Sequence, residues 1–253
     1  MAQSSDLTNA SNIFSPGDHV RWFAARMGWP LRANNIVVEG NDSGYFEFAA
    51  GLFRQEHNRD LLAGLAIFPT GDGDAGGTDG ILRHFPTFRS LIDSDVDMNG
   101  MRQFQAIVLL DCDSAGKSAK NGLTAKYTVY QEHRDVFLLQ RRLPRTTRSP
   151  TQLGNAITRE NEAWKRLDCE IEDLLSLRLL EKFVANAVKP FRRDPVYVNG
   201  AHHFEFSEGV KSTLLRFVKD NGCINDVELI VDVLKSLRYY LGLSPDGDPV
   251  SSR

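Results

Sequence analysis

Short apolar runs alternate with amphipathic segments over the first 140 residues of the chain. Four of the runs are rich in β-branched and other apolar residues, which is typical of strands that are buried on both faces. They cover residues 35–38, 65–68, 106–110 and 135–139. Between them, apolar residues recur at helical spacing and predict helices. Strands that alternate with helices need crossover connections, so the pattern predicts an α/β fold with a mainly parallel four-stranded sheet and flanking helices.

The pattern changes after residue 140. Arginines crowd around Pro144 and Pro150, and helical spacing then returns over residues 161–187 and 209–241. Both chain ends are rich in Ser, Asn, Asp and Pro, which bury too little apolar surface to offset the entropy of ordering. The predicted organisation is a disordered N-terminus (1–12), an α/β domain with a preceding helix (13–140), a basic loop and helical C-terminal extension (141–243) and a disordered tail (244–253).

Composition narrows the class of protein. The 253 residues, of which 42% are hydrophobic and 25% charged, are enough for one substantial core or for one core and a smaller appended unit. A net charge of -3 argues against a uniformly basic surface but leaves room for a local basic patch. The sequence has no apolar run of membrane-spanning length, no signal-peptide layout and no CxxC pair. We therefore expect a cytoplasmic protein without a membrane partner.

Acidic residues follow two of the predicted strands. Glu39 comes directly after the first strand, and Asp111 and Asp113 follow the third. In a parallel α/β sheet, ligands bind outside the carboxyl ends of the strands. Alternate side chains of an extended segment point the same way, so Asp111 and Asp113 can share one ion. Clustered carboxylates need a hard counter-charge, and the sequence therefore predicts an Mg²⁺ or Mn²⁺ site that contains these three residues.

Two strings of residues carry a family resemblance. Val-Val-Glu-Gly at residues 37–40 and Asp-Cys-Asp-Ser-Ala-Gly at residues 111–116, each after a buried strand, resemble the paired signature of the Toprim domain. Toprim domains occur in topoisomerases, bacterial primases, small ribosomal-RNA maturases and nucleases of the overcoming-lysogenisation-defect family. The resemblance covers residues 34–140. It implies a Rossmann-like fold, Glu39 as general acid/base or metal ligand, and Asp111 and Asp113 as metal ligands.

Further acids are candidate metal ligands. Toprim nucleases tend to carry a second acid four residues after the glutamate, whereas this chain has Ser43 there and Asp42 beside it. Asp42 is therefore a candidate ligand, and the number of metal ions in the site, one or two, stays open. The acidic segment 168–175 resembles the late Glu-Asp-Leu-Leu helix of Toprim nucleases and makes Glu172 another candidate. The alternative for Glu172 is a solvated helix face beside Arg178.

Basic residues indicate where nucleic acid would bind. Arginines at positions 134, 141, 142, 145 and 148 would form a positive patch, although a surface loop explains them equally well. Toprim nucleases also use a late lysine near the scissile phosphate, which makes Lys211 a candidate. The predicted nucleic-acid-binding residues are Lys117, Arg141, Arg142, Arg145 and Lys211. The glycine-rich stretch 70–77 is expected to be a flexible loop at the rim of the site, with Asp72 and Asp74 solvated.

The resemblance implies a divalent-metal-dependent endonuclease that cleaves DNA or RNA. Small Toprim proteins of similar layout include effector nucleases of bacterial antiphage defence. This chain has no Walker motif, so ATP-driven activation would need a separate AAA- or ABC-type ATPase. Three alternatives stay open: a ribosomal-RNA maturase-like ribonuclease, a primase-type nucleotidyl transferase and a non-catalytic Toprim scaffold. A homodimer is also open, since the apolar face of Val227, Ile230, Val231 and Leu234 suits a dimer or a core.

Overall fold

The computed structural model describes residues 17–71, 77–207 and 209–250. Its strands are β1 (Asn34–Val38), β2 (Arg59–Asp60), β3 (Leu65–Pro69), β4 (Gln105–Leu110), β5 (Val136–Leu138), β6 (Val196–Val198), β7 (Ala201–His203) and β8 (Asp248–Pro249). Its α-helices are α1 (Asp18–Met27), α2 (Asp42–His57), α3 (Thr78–Ser94), α4 (Ser114–Lys126), α5 (Pro150–Asn161), α6 (Leu177–Val184), α7 (Val210–Asn221) and α8 (Glu228–Tyr240). Short 3₁₀ helices cover Glu162–Trp164, Ile171–Leu174 and Ile224–Asp226. The predicted N-terminal disorder over 1–12, the rim-loop residues Asp72 and Asp74, and residues 251–253 lie outside the described residues.

A parallel four-stranded sheet forms the centre of the fold. Its strands lie in the order β3, β1, β4, β5, and each neighbouring pair is parallel. β1 is paired on both sides, and all five of its residues are buried, which suits its run of Ile36, Val37 and Val38. The predicted α/β class with a parallel four-stranded sheet and flanking helices is confirmed. The strand ends differ from the predicted ones by single residues.

Alternate residues of the strands enter two separate hydrophobic clusters. Ile36, Ile107 and Phe137 belong to one cluster, which includes residues of α2, α6, α7 and α8. Val37 and Val108 belong to the other, which includes residues of α1, α3 and α4. The sheet therefore has helices on both faces, and the carboxyl ends of its parallel strands meet at one edge.

The C-terminal half packs on the sheet, but its elements differ from the predicted long helices. α5 begins at Pro150, well before the predicted start, because proline suits the first turn of a helix. α7 ends before Gly222, and the 3₁₀ helix Ile224–Asp226 separates it from α8. The sequence prediction misses the hairpin of β6 and β7. Its Asn199-Gly200 turn, with both residues at positive φ, is typical of a two-residue hairpin loop.

Residues 244–250 were assigned to a disordered tail from composition, and that prediction is wrong. β8 pairs with β2 in the antiparallel sense. The fully buried guanidinium of Arg238 donates hydrogen bonds to the carbonyls of Leu61, Ala63 and Ser244. These carbonyls compensate for the cost of burying the charge, and they attach the chain end to the loop that follows β2.

The apolar face of α8 belongs to the core. Val227, Ile230, Val231 and Leu234 are at most 5% exposed and join the cluster on the α2 side of the sheet. This face is therefore not available for the dimer contact that the sequence leaves open. No helix in the described ranges is long and apolar enough to cross a membrane.

Candidate metal centre

The ends of two neighbouring strands bring Glu39 and Asp111 together. Glu39 follows β1, Asp111 follows β4, and the backbone N–H of Asp111 donates to Glu39 Oε1 at 3.0 Å. Gly40, with a φ of 41°, allows the turn in which the N–H of Asp42 donates to the carbonyl of Glu39 at 3.1 Å. The turn places Asp42 at the start of α2. Three of the predicted metal ligands therefore lie at one point of the carboxyl edge.

Two cysteines attach the acidic segment of the C-terminal half to this edge. The N–H of Cys112 donates to the carbonyl of Cys169 at 2.8 Å, and the N–H of Cys169 donates back at 3.4 Å. The chain then continues through Glu170 into the 3₁₀ helix Ile171–Leu174, which carries Glu172. Glu172 is 2% exposed, so the alternative of a solvated helix face is wrong. Pairing between distant segments, which no local periodicity reveals, buries this acid.

Five acidic side chains, Glu39, Asp42, Asp111, Glu170 and Glu172, form what we call the carboxylate cluster. Burial and repulsion by Glu172 and Glu39 raise the pKa of Asp42 well above its ordinary value. Burial and repulsion by Asp42 and Glu39 do the same to the pKa of Asp111. Burial, only partly offset by the N–H of Asp111, raises the pKa of Glu39 to about 7. Negative charge is therefore unfavourable here unless a cation is close.

Lys211 enters the carboxylate cluster from the first turn of α7. Its ammonium group donates to Glu170 Oε2 at 2.6 Å and lies 3.7 Å from Glu172 Oε2. Burial disfavours the charged form of Lys211, but the carboxylates of Glu172 and Glu170 raise its pKa above the ordinary value. One ammonium group cannot balance five carboxyl groups, so the cluster keeps an excess of acidic groups. The fold brings Lys211, predicted to lie near the reacting phosphate, next to the candidate metal ligands.

Two oxygen atoms of the carboxylate cluster are buried without a hydrogen-bond donor. They are Asp111 Oδ1 and Glu172 Oε2. Such oxygens are costly to bury, and carboxylates are the ligands that Mg²⁺ and Mn²⁺ prefer. In the described part of the chain, no three His, Cys, Asp or Glu side chains already form a metal-binding group. Carboxylates repel each other without a cation, so the donor set fits a divalent ion that would itself draw the ligands together.

Asp113 has a structural role as the N-cap of α4. Its Oδ1 accepts the N–H of Gly116 at 2.7 Å, which satisfies one of the free donors of the helix start. A Cβ atom at Gly116 would lie 2.0 Å from the carbonyl oxygen of Asp111, so only glycine lets α4 begin this close to β4. The negative charge of Asp113 is, after burial, one of the causes that raise the pKa of Glu39. Asp113 therefore has one oxygen engaged in capping and one left for an ion.

The sequence analysis missed Glu170, Tyr45 and Asp173. The hydroxyl of Tyr45 is buried without a hydrogen bond, and burial followed by the charge of Glu172 raises its pKa well above the ordinary value. Asp173 Oδ2 accepts the N–H of Glu170 at 2.9 Å and lies 2.8 Å from His203 Nδ1. For Glu170 and Asp173, the only signal in the sequence was the acidic character of residues 168–175, and this does not tell which of the acids face the sheet.

Arg141, a predicted nucleic-acid-binding residue, is buried in the protein. It is 6% exposed, and its guanidinium donates to the carbonyls of Asp168 at 3.1 Å and His202 at 2.7 Å. A buried guanidinium held by backbone carbonyls stabilises the fold and is not accessible to a phosphate. The prediction for Arg141 is therefore wrong.

Lys117, Arg142 and Arg145 are exposed, although each contacts protein. Lys117 Nζ donates to Asp168 Oδ1 at 2.7 Å. The guanidinium of Arg142 lies 5.6 Å from the ring centre of Trp164, and Arg145 hydrogen-bonds to α8. Exposed contacts of this kind are weak, so these side chains can exchange them for a phosphate. The predicted patch of five arginines is smaller than expected, because one of its members is buried.

The carboxylate cluster draws on stretches of the chain that lie far apart in sequence: residues 39–42, 111 and 170–172, with Lys211 added from α7. Such a site is defined by the fold rather than by one local motif. No family model matches the sequence, and no curated protein or solved structure is significantly similar to it.

Proposed function

We propose that this protein is a divalent-metal-dependent endonuclease of the Toprim type, which hydrolyses phosphodiester bonds in DNA or RNA in the cytoplasm. The observation that carries the proposal is the carboxylate cluster at the carboxyl edge of the sheet, in which Asp111 Oδ1 and Glu172 Oε2 are buried without a hydrogen-bond donor. Its position follows the strand ends that carry the two Toprim-like strings. Several buried or half-buried acids beside a single lysine are expected at a cation-binding site. They are not expected in a core that only stabilises the fold.

Asp111, Glu172 and Asp42 would hold the ion, and Asp113 can add its second oxygen. When bound, Mg²⁺ or Mn²⁺ polarises a phosphate and lowers the pKa of a coordinated water. Glu39 has one carboxyl oxygen fixed by the N–H of Asp111, which leaves Oε2 as the atom that exchanges a proton with water. Lys211, as a permanent cation, would neutralise charge that develops on the phosphate.

The first experiment is a cleavage assay with plasmid DNA, single-stranded DNA and transfer RNA, in the presence of Mg²⁺ or Mn²⁺. The native protein is compared with Glu39→Ala and with Glu56→Ala, a matched change at the exposed end of α2. The proposal expects cleavage of at least one substrate by the native protein and by Glu56→Ala, and its loss in Glu39→Ala. Cleavage by Glu39→Ala at the native rate would contradict the assignment of the site.

A separate AAA- or ABC-type ATPase is the proposed activating partner, in line with the resemblance to effector nucleases of antiphage defence. If the native protein alone cleaves nothing, the same assay with a co-expressed ATPase tests this part of the proposal. Cleavage that appears only with the ATPase, and that Glu39→Ala abolishes, would support it.

A non-catalytic Toprim scaffold is the second candidate function. The observation that favours it is Lys211, whose 2.6 Å contact with Glu170 partly neutralises the acids without an ion, together with Ser43 where nucleases carry an acid. Calorimetric titration with Mg²⁺ and Mn²⁺ separates the two functions. An enzyme should bind the ion with an affinity that Glu39→Gln and Asp111→Asn reduce, whereas a scaffold should show no carboxylate-dependent affinity.

A further inference from the structure

A cleft lies between α4, the end of β5 and α5. Its volume of about 530 Å³ is within the range of about 300–1,000 Å³ that small-molecule sites occupy. Cys112, which stands between Asp111 and Asp113, lines it, and so does Gln140, just after β5. This α4–α5 cleft therefore belongs to the same carboxyl edge of the sheet and adjoins the segment that carries two candidate metal ligands.

The walls of the α4–α5 cleft combine an aromatic ring with amide groups. Gln140 donates its amide N–H to Cys112 Sγ at 3.0 Å, which orients the amide, and Asn155 adds a second amide from the exposed side of α5. The indole ring of Trp164 is half-buried and is held by a 3.3 Å hydrogen bond from its Nε1 to the carbonyl of Asn199. Nucleobases stack on aromatic rings and pair their edges with groups that both donate and accept, as amides do.

Charge is distributed unevenly around the α4–α5 cleft. Lys117, in the first turn of α4, and Lys165 contribute positive side chains. Each forms an exposed ion pair, with Asp168 and Glu162 respectively, and such weak pairs can be exchanged for a phosphate. Glu132, the acid that lines the cleft, is paired with Lys120 at 2.9 Å, so its charge is already balanced. Lysine side chains beside an uncharged, amide-lined cleft can bind the backbone phosphates on either side of a bound base.

We propose that the α4–α5 cleft takes one unpaired nucleobase of the substrate strand, whose backbone continues to the carboxylate cluster. This inference rests on the proposed function, because the strand is the one that the cluster would cleave. A base inside a duplex is stacked and paired, so it cannot enter such a cleft without being turned out of the helix. The substrate class is then a single strand, or a strand with one exposed base, in DNA or RNA.

Binding of nucleic acid without metal tests the inference independently of cleavage. Fluorescence anisotropy in EDTA would compare a short labelled single strand, its duplex and the same strand with abasic sites, each as DNA and as RNA. We expect the native protein to prefer one of the base-containing single strands over the duplex and the abasic strand. Asn155→Trp, which fills the α4–α5 cleft, and Trp164→Ala should each weaken that preferred binding about tenfold, since stacking of one base contributes roughly 1–3 kcal/mol.

Two matched variants separate the cleft from general effects of substitution. Gln152→Trp places the same ring on the exposed surface of α5, outside the cleft, and should leave binding unchanged. Trp164→Phe keeps an aromatic plane and should retain most of the affinity that Trp164→Ala loses. Native-like binding by Asn155→Trp, equal affinity for abasic strands, or no binding of any strand would overturn the inference. Base-dependent binding without metal-dependent cleavage, both with and without the ATPase partner, would support the cleft and contradict the nuclease. Metal-dependent cleavage without base-dependent binding would support the nuclease and contradict the cleft.

Discussion

The backbone N–H of Asp111 donates a hydrogen bond to Glu39 Oε1 at 3.0 Å, across the ends of the adjacent strands β4 and β1. The bond holds one acidic side chain of the carboxylate cluster against the backbone of another. Strand pairing alone would bring the two residues close, but it would leave both carboxyl groups free to turn towards water. The position of the Glu39 carboxyl group therefore depends on the pairing of β1 with β4 at this edge of the sheet.

We predict that Glu39→Gln stabilises the metal-free protein above neutral pH. Glutamine keeps an oxygen that accepts the N–H of Asp111, but it removes a buried charge. The pKa of Glu39 is raised from 4.5 to about 7, so its ionisation opposes folding. The stability that native Glu39 contributes is complete below about pH 4.5 and is lost as the pH rises through about 7. Above pH 7 the variant should be more stable by on the order of 2 kcal/mol.

Urea unfolding in EDTA between pH 5 and pH 8 measures this difference, at about the two ends of the transition expected by linkage. Glu47→Gln on the exposed side of α2 is the matched control and should follow the native protein at every pH. If the native and Glu39→Gln curves run parallel across the range, the buried ionisation of Glu39 is excluded.

We predict that Mg²⁺ or Mn²⁺ raises the thermal stability of the protein through Asp111. An ion that binds the folded chain stabilises it by mass action, by about 2.7 kcal/mol when its concentration is a hundred times the dissociation constant. For a chain of this size, that gain corresponds to several degrees of melting temperature. Asp111→Asn removes a ligand charge and should abolish most of the gain, whereas Asp220→Asn on the exposed side of α7 should keep it. An equal gain in both variants would place the ion elsewhere.

We predict that Arg141 and Arg142, which are neighbours in sequence, have opposite roles. Arg141→Ala leaves one buried and one part-buried carbonyl without their donor and should cost about 3 kcal/mol of unfolding free energy. Arg142→Ala removes an exposed side chain and should cost less than about 0.5 kcal/mol, but it should weaken nucleic-acid binding and lower its salt dependence. Urea unfolding and binding at several salt concentrations test both statements. Unchanged stability of Arg141→Ala would show that the carbonyls find other donors.

The sheet could be predicted from the sequence because its physical cause is local. A strand such as β1, buried on both faces, needs a short continuous apolar run, and Ile36, Val37 and Val38 supply it. The same logic placed Glu39 and Asp111 at one edge, since parallel strands end on the same side. These predictions needed no information about the rest of the chain.

The remainder of the site depends on contacts between distant segments. The burial of Glu170 and Glu172 follows from the backbone pairing of Cys112 with Cys169, and nothing in the local pattern predicts that pairing. Arg141 stands among other arginines, which suggests a solvated patch, yet the carbonyls that bury it come from residues 168 and 202. The sequence analysis also assigned no element to residues 188–208, where the Asn-Gly turn of the β6–β7 hairpin was the available signal.

We predict that Asp226 makes the C-terminal half sensitive to acid. Its buried carboxylate accepts hydrogen bonds from Arg178 at 2.5 Å, from the N–H of Cys223 at 3.0 Å and from the hydroxyl of Ser176, which connects the break between α7 and α8 to α6. Burial favours the neutral acid, but the bonds from Ser176, Cys223 and Arg178 prevail and lower its pKa below the ordinary 3.8.

The contribution of Asp226 to stability is therefore present above about pH 3.8 and lost as the pH falls through its lower folded pKa. At pH 7, Asp226→Asn should lower the free energy of unfolding by about 2–3 kcal/mol, because three part-buried hydrogen bonds to the buried carboxylate lose their charged acceptor. The gap between native and variant should close as the pH falls through the lowered pKa of Asp226, where the native carboxyl also becomes protonated. Asp232→Asn, at an exposed acid that lies 3.8 Å from Arg145, is the matched control and should cost less than about 1 kcal/mol. A gap for Asp226→Asn that persists unchanged in acid would mean that the shape of the side chain, and not its charge, stabilises this junction.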